Sequence, residues 1–358
     1  MNKKIAIYTI LLSLIGLLMI YSSSYIISES KFNTPYKFLI YQFVFFIIGI
    51  FLLILFSKID YKLYKKYSNK FLFITLILLI LVLIPGIGSV RNGSRSWFSL
   101  FGLGLQPSEL SKLSLIIFTS KYLSNNDSIK RNLFKFSFPI FLVIIFFFLL
   151  ILLEPDFGTG MVIVMSLIGI IFISGINVSI FVKFGILGVV GIVILVLIAP
   201  YRLDRITSFL NPWSDPLGSG FQIIQSMYAI GPGGIFGFGY LNSRQKYFYL
   251  PEPQTDFIFS IISEEFGFVG AFMIVILFVM LYYNIIKEAI NTKDLFGKYL
   301  MFGLCFLLMF QTILNLSVVV GLVPVTGVTL PFLSYGGSSL LISMISIGII
   351  LNVSSFHK

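Results

Sequence analysis

The chain has 358 residues, of which 58% are hydrophobic and 11% charged, with a mean hydropathy of +1.01 and a formal net charge of +11. A water-soluble domain cannot hide that much apolar surface, so the composition excludes a soluble enzyme and points to an all-α polytopic membrane protein. A membrane β-barrel is excluded too, because short segments of alternating hydropathy are missing.

Crossing a bilayer takes about 20 apolar residues per helix. Ten transmembrane helices are expected, at 5–27, 38–57, 70–87, 107–123, 137–153, 157–174, 180–199, 257–284, 299–322 and 334–353, in a single integral membrane domain of residues 1–358. Lys3 and Lys4 precede the first stretch as they would in a signal peptide, but the stretch is too long for an h-region and is expected to stay as a span. With the N-terminus inside, most of the 25 lysines and arginines fall on the cytoplasmic side and most of the 14 acids on the other. The N- and C-termini are therefore expected to be cytoplasmic, and the net positive charge reports topology rather than nucleic-acid binding. The one cysteine, Cys305, lies mid-span and excludes an internal disulfide. The one histidine, His357, adjoins the C-terminus, so outer-face proton transfer must use a carboxylate, Lys or Tyr, and histidine-ligated zinc is excluded.

Between the third and fourth spans, "GSVRNGSRSWFSLFGLGLQPSE" (88–109) reads as turns, with Trp97 as an interfacial anchor and Pro107 in the first turn of the next helix. "QPSELSKL" then places Glu109 and Lys112 three apart on one helical face. They are either an ion pair or, because charge in a membrane is costly, part of a cavity lining. In "LEPDFGTG" (153–160), Asp156 resembles a helix cap and Glu154 is expected to be solvated.

Residues 200–256 form a large extracellular loop between the seventh and eighth spans, rich in aromatic and aliphatic side chains; ordered loops of this length are usually functional. Within it "SGFQIIQSMYAIG" (219–231) is too short to span and is expected to be a short interfacial or re-entrant helix, with Phe221, Ile224, Met227 and Tyr228 on one face. "YFYLPEPQTDFIFSIISEEFG" (247–267) sets Asp256 at the head of an apolar run, where it can cap the helix, serve as a catalytic carboxylate, or do both. Glu264 and Glu265 lie about 12 Å further along. They point about 100° apart, so they are not expected to share a partner, and one of them is expected to be architectural, pairing with Lys112 or capping a neighbour. "VPVTGVTLPFLSYGGSSL" (323–340) joins the last two spans without a charge. The outer basic residues Arg91, Arg95, Arg202, Arg205, Arg244 and Lys246 either snorkel to lipid headgroups or bind a phosphate or diphosphate. No P-loop or GxGxxG is present.

Together "RNGSRSWF", "QPSELSKL", "EPDFGTG", "NPWSDPLGSGFQIIQSMYAIGPGGIFGFG", "LPEPQTDFIFSIISEEFGFVG" and "PVTGVTLPFLSYGGSSL" resemble the SEDS proteins of bacteria (shape, elongation, division, sporulation) over nearly the whole chain. "NPW", "SRQK" and "GVTLPFLSYGGSSL" look closer to the division and sporulation branch than to the elongation branch. The resemblance implies a peptidoglycan glycosyltransferase that polymerises lipid II on the outer leaflet of the cytoplasmic membrane, among membrane lipids. It also implies a class B penicillin-binding protein as transpeptidase partner. It puts the family's essential aspartate on Asp256, its QPSE-segment glutamate and lysine on Glu109 and Lys112, its hinge aspartate on Asp156 and its loop tryptophan on Trp97. One departure is Gln254, which stands where many relatives have histidine.

In the implied reaction a sugar hydroxyl displaces a polyprenyl diphosphate at an anomeric carbon with inversion, and Asp256 is the candidate base. The leaving group needs charge neutralisation rather than a proton donor. Arg91, Arg95, Arg244 and Lys246, with or without a divalent cation (magnesium or manganese), are the candidates for that, with Glu264 lining the cavity. No second protein acid is required, in contrast to glycoside hydrolysis. The alternative is a lipid II flippase, whose signature of inverted repeats and charges spread through the bilayer is missing.

Overall fold

The computed structural model describes residues 2–91, 94–100, 103–125, 133–175 and 207–356, with isolated positions between 182 and 191. Most of the span expected at 180–199, and Arg202 and Arg205, lie outside the described residues. The helices are α1 (Lys3–Phe32), α2 (Lys37–Lys58), α3 (Tyr61–Leu83), α4 (Pro107–Asn125), α5 (Leu133–Leu153), α6 (Phe157–Ile173), α7 (Phe221–Ile230), α8 (Ile258–Asn291), α9 (Leu295–Val319) and α10 (Gly337–Ser355). Among the described residues six of these, α1, α2, α3, α8, α9 and α10, are long and apolar enough to cross a membrane.

Polar side chains mark the ends. Asn2, Asp60 and Asp294 cap α1, α3 and α9 by accepting backbone amides of Lys4, Lys62 and Gly297. The Asn2 amide donates to Glu288 at 2.9 Å, and the Tyr61 amide donates to Asn352 at 3.0 Å. The start of α1, the α2–α3 and α8–α9 turns and the end of α10 therefore share one end of the bundle, and the candidate site residues gather at the opposite end. α9 and α10 are central and buried nearly all round, whereas α2 and α3 present much of their surface outward. Small residues allow the close approach that packing without a hydrophobic driving force requires. A Cβ on Gly348 of α10 would sit 2.6 Å from the Leu53 carbonyl of α2.

Two expected elements differ. The span expected at 70–87 is a helix from Tyr61 to Leu83: hydropathy registers only the lipid-buried part, and the lysine-bearing turns before it are helical as well. Residues 88–105, expected as turns, form a three-stranded antiparallel sheet of β1 (Ser89–Arg91), β2 (Ser94–Leu100) and β3 (Leu103–Leu105). Its register pairs Ser89 with Trp97 and Phe98 with Leu105.

The long loop is built against a break in α8. Gly267 has φ 62 and ψ −160, a backbone that only glycine adopts readily. Segment 234–239 supplies the hydrogen bonds that the break removes. Phe238 and Gly239 donate to the carbonyls of Glu264 and Glu265 at 3.0 and 2.8 Å, and Phe268 and Val269 donate to those of Gly234 and Ile235 at 2.8 and 3.1 Å. Irregular backbone at membrane depth persists only when it is satisfied in this way. α7 occupies the place expected for the short helix, but its buried residues are Ile223, Ile224, Ser226 and Ala229, while Met227 and Tyr228 are exposed. The rotation has a polar cause: the Ser226 hydroxyl bonds the Ser260 hydroxyl at 2.8 Å and the Val319 carbonyl at 2.7 Å, so that face turns inward.

Candidate functional site

Pro107 opens α4, as the sequence predicts, and places Glu109 in the first turn, where the helix dipole favours an acid. One turn on, Lys112 Nζ lies 2.7 Å from Glu109 Oε1, and both residues are buried. The expected ion pair is present, but it does not end there. Lys112 Nζ reaches Gln311 Oε1 of α9 at 3.4 Å, and Gln311 Nε2 donates to the Thr329 carbonyl at 3.0 Å and to the Ser339 hydroxyl at 3.3 Å. One turn further along α9, Asn315 Nδ2 donates to the carbonyls of Asp256 and Val328 at 2.7 and 2.8 Å. Gln311 and Asn315, four residues apart, thus anchor two polar groups to α9: Lys112 with its Glu109 at the first, and the backbone of Asp256 at the second.

Asp256 is half-buried, and its Oδ1 accepts the Thr255 hydroxyl at 2.9 Å. The N-cap of α8 is Phe257, so Asp256 stands one residue before the cap position that it or Thr255 could have filled. The preceding turn is fixed from the last loop, where the Tyr335 amide donates to the Gln254 carbonyl at 2.8 Å.

The hinge between α5 and α6 lies at the same end. Asp156 caps α6 as expected, accepting the Thr159 amide at 3.0 Å, and its other oxygen accepts Gln106 Nε2 at 2.9 Å. Glu154 departs from expectation: it is fully buried rather than solvated, and neither carboxyl oxygen has a hydrogen-bond partner. The Ser94 hydroxyl of β2 donates to its backbone carbonyl. Burial, reinforced by the nearby Asp156 charge, pushes its carboxyl up to about 9 and keeps it protonated at neutral pH. On the sheet, Trp97 is half-buried opposite Ser89 and Arg95 is half-buried with Nε lacking a partner, while Arg91 ends β1 opposite Ser94.

Glu264 and Glu265 belong to a separate cluster. Glu264 accepts the Ser243 hydroxyl at 2.5 Å and the Arg244 amide at 2.8 Å. Glu265 Oε1 accepts Lys246 Nζ at 2.9 Å, the Ser22 hydroxyl at 2.6 Å and the Ser243 amide at 3.2 Å. Its partner is therefore Lys246 rather than Lys112. The two adjacent acids share Ser243, contrary to the expectation from helical spacing, because the turn at 243–246 wraps around α8 just before its break. Lys246 has no exposure and also lies 4.9 Å from the Tyr25 ring, which places it inside the protein rather than among the outer charges. Arg244 is exposed, with its guanidinium 4.7 Å over the Phe238 ring.

Lys112 with Glu109, through Gln311, and the Asp256 backbone, through Asn315, are thus anchored on the same helix α9, while Glu264 and Lys246 lie in another cluster. Sequence reasoning missed Gln311, Asn315, Thr329 and Ser339; the available signal was two amide side chains four apart in an otherwise apolar span. Among the described residues no three of His, Cys, Asp and Glu gather closely enough to hold a metal ion, so this donor set does not fit a protein-built divalent cation site.

The FtsW/RodA/SpoVE family of cell cycle proteins matches residues 3–358. Stage V sporulation protein E of Bacillus subtilis is 47% identical over 99% of this chain and 97% of its own length. A probable peptidoglycan glycosyltransferase FtsW of Coxiella burnetii is 41% identical over 98% of this chain and 95% of its own. Among solved structures, a chain from a peptidoglycan synthase complex superposes with a TM-score of 0.82 at 29% identity, covering 99% of this chain and 98% of that one. The crystal structure of the Thermus thermophilus rod shape determining protein RodA superposes at 0.70 and 26% identity, covering 98% and 95%. The sporulation and FtsW relatives are more similar in sequence than RodA, in the direction the motifs indicated. This multi-pass membrane protein belongs to the FtsW/RodA/SpoVE family.

Proposed function

We propose that the chain is a peptidoglycan glycosyltransferase that polymerises lipid II, with Asp256 as the base that takes the proton of the attacking sugar hydroxyl. The observation that carries this reading is a half-buried carboxylate, set just before α8 and held through its own backbone carbonyl by the buried side-chain amide of Asn315. A base must be fixed within hydrogen-bond reach of its proton, and Asn315 fixes this residue from α9 through the Asp256 carbonyl. The name of the FtsW relative supports the activity.

In the proposed topology ten helices span the cytoplasmic membrane, both termini are cytoplasmic, and the loop at 200–256 and Asp256 face outward. Arg95 and Arg244 are the candidates for neutralising the diphosphate leaving group, and no step is routed through a metal. An apolar cleft of about 320 Å³ between α1 and α2, lined by Leu18, Tyr21, Ile40, Phe43 and Tyr240 among others, suits a hydrocarbon chain. The similarity to a chain of a peptidoglycan synthase complex supports a class B penicillin-binding protein as partner.

The test is polymerisation of lipid II by purified protein in detergent. Asp256→Ala is expected to fold normally and lose activity by about 10²–10⁴-fold, the usual worth of a general base. Normal polymer from that variant would overturn the assignment, and lipid scrambling in liposomes without polymer from wild type would turn the reading to transport.

A further inference from the structure

We infer that Asn315 is the positioning residue for Asp256. The inference rests on the proposed role of Asp256 and adds the part that sets its place. Asn315 is buried on α9, and both partners of its Nδ2 are backbone carbonyls, those of Asp256 and Val328. Only the nitrogen end of the amide can face two carbonyls, so the orientation of the side chain is fixed by its partners. The Asp256 carbonyl lies where α8 begins. There the Ser260 amide donates to Phe257 in a tight three-residue step, and Asn315 takes the Asp256 carbonyl. The residue before the helix is thereby tied to a neighbouring helix.

The same amide ties down Val328, and Gln311, one turn earlier, ties down Thr329. Two successive residues of the last loop are thus clamped to α9, and that loop holds the Gln254 carbonyl through Tyr335. Carbonyls on both sides of Thr255 are therefore fixed from outside the segment, leaving little freedom for the Asp256 side chain to wander. Asn315 Oδ1 remains buried with no protein donor. A residue needed only to fill and satisfy the core would not leave half its amide unpaired, because that costs about 1–3 kcal/mol. The donor end is the part the fold uses.

The test compares Asn315→Ala with Gln311→Ala and Asp256→Ala in full-length purified protein, measuring turnover, KM for lipid II and melting temperature. Asn315→Ala is expected to keep KM nearly unchanged and to lose turnover on the order of 100-fold, the cost of roughly 1 Å of misplacement. Gln311→Ala removes more hydrogen bonds but none to Asp256 itself, so it is expected to lower melting temperature and to cost about tenfold less turnover than Asn315→Ala. Asn315→Asp keeps the volume and removes the donor, and serves the same comparison if the alanine variant is not recovered. A folded Asn315 variant with wild-type turnover overturns the inference, as does a loss matched by Gln311→Ala, or a failure of both Asn315 variants to fold, since each marks a structural role. Activity retained by Asp256→Ala removes the parent reading instead, whereas an inactive Asp256→Ala beside an active Asn315→Ala removes this one alone.

Discussion

Lys112 and Lys246 are both buried lysines, each held by one glutamate, at 2.7 and 2.9 Å. Lys246 is enclosed. Its ammonium meets Glu265, the Ser22 hydroxyl and the Tyr25 ring, and Glu265 in turn grips the amide of Ser243. Lys112 is open-ended, because beyond Glu109 it reaches Gln311, from which contacts run to the last loop. Desolvating a charge is costly in both places, so each pair must be justified by what it specifies. One fastens a loop to a broken helix, and the other ties α4 to α9 one turn from the residue that holds the Asp256 carbonyl.

That contrast can be broken by substitution. Lys246→Met strands Glu265 without its cation and is expected to cost about 3–5 kcal/mol, seen as loss of folded protein in detergent, with much of the loss recovered in the Lys246→Met/Glu265→Leu double variant. A single variant that melts like wild type would mean that the enclosed pair fastens nothing. Gly267→Ala probes the same junction without touching a charge. Its Cβ would lie 2.5 Å from the Gly237 amide nitrogen and the Ile235 carbonyl oxygen, at φ 62, so a loss on the order of 2 kcal/mol is expected in thermal melts.

Glu109→Gln should be milder, about 1–3 kcal/mol, since Lys112 retains Gln311. It is expected to lower melting temperature more than turnover, and a stable but inactive protein would place Glu109 in the chemistry instead. A pH-dependent effect sharpens the contrast with a third kind of buried acid, one whose carboxyl oxygens have no hydrogen-bond partner. The Glu154 carboxyl titrates at about 9 in the folded protein and near 4.5 once the chain is unfolded. Between those values the unfolded chain binds fewer protons than the folded one, so stability falls as pH rises through the window. Glu154→Gln removes that slope. It should be nearly silent at pH 5 and raise the melting temperature by a few degrees at pH 8; equal melting shifts at both pH values would show that Glu154 is ionised.

Six of the expected spans were legible as long apolar helices because a 20-residue apolar run has few alternatives. The Glu109–Lys112 pair and the Asp156 cap were legible because both are local, set by helical spacing within one turn. What was not legible depends on distant chain. Lys246 and Glu265 are 19 residues apart and meet only because α8 breaks at Gly267. Glu154 is hydrogen-bonded through its backbone to a sheet whose strands run three, seven and three residues, too short for alternation to stand out, although Asn92-Gly93 is a recognisable hairpin signal. The buried face of α7 was misread because Ser226 sits inside for its hydrogen bonds, which a hydrophobic pattern does not weigh.

The junction at Gly267 also limits how the sequence can change length. Amides and carbonyls from 234–239 and 264–269 alternate as donors and acceptors across the break. Adding or deleting one residue between Gly234 and Gly239 would put these rungs out of register, and a change between Gly239 and Ser243 would move Ser243 away from both acids. A change of length inside 234–243 is therefore expected to unfasten α8.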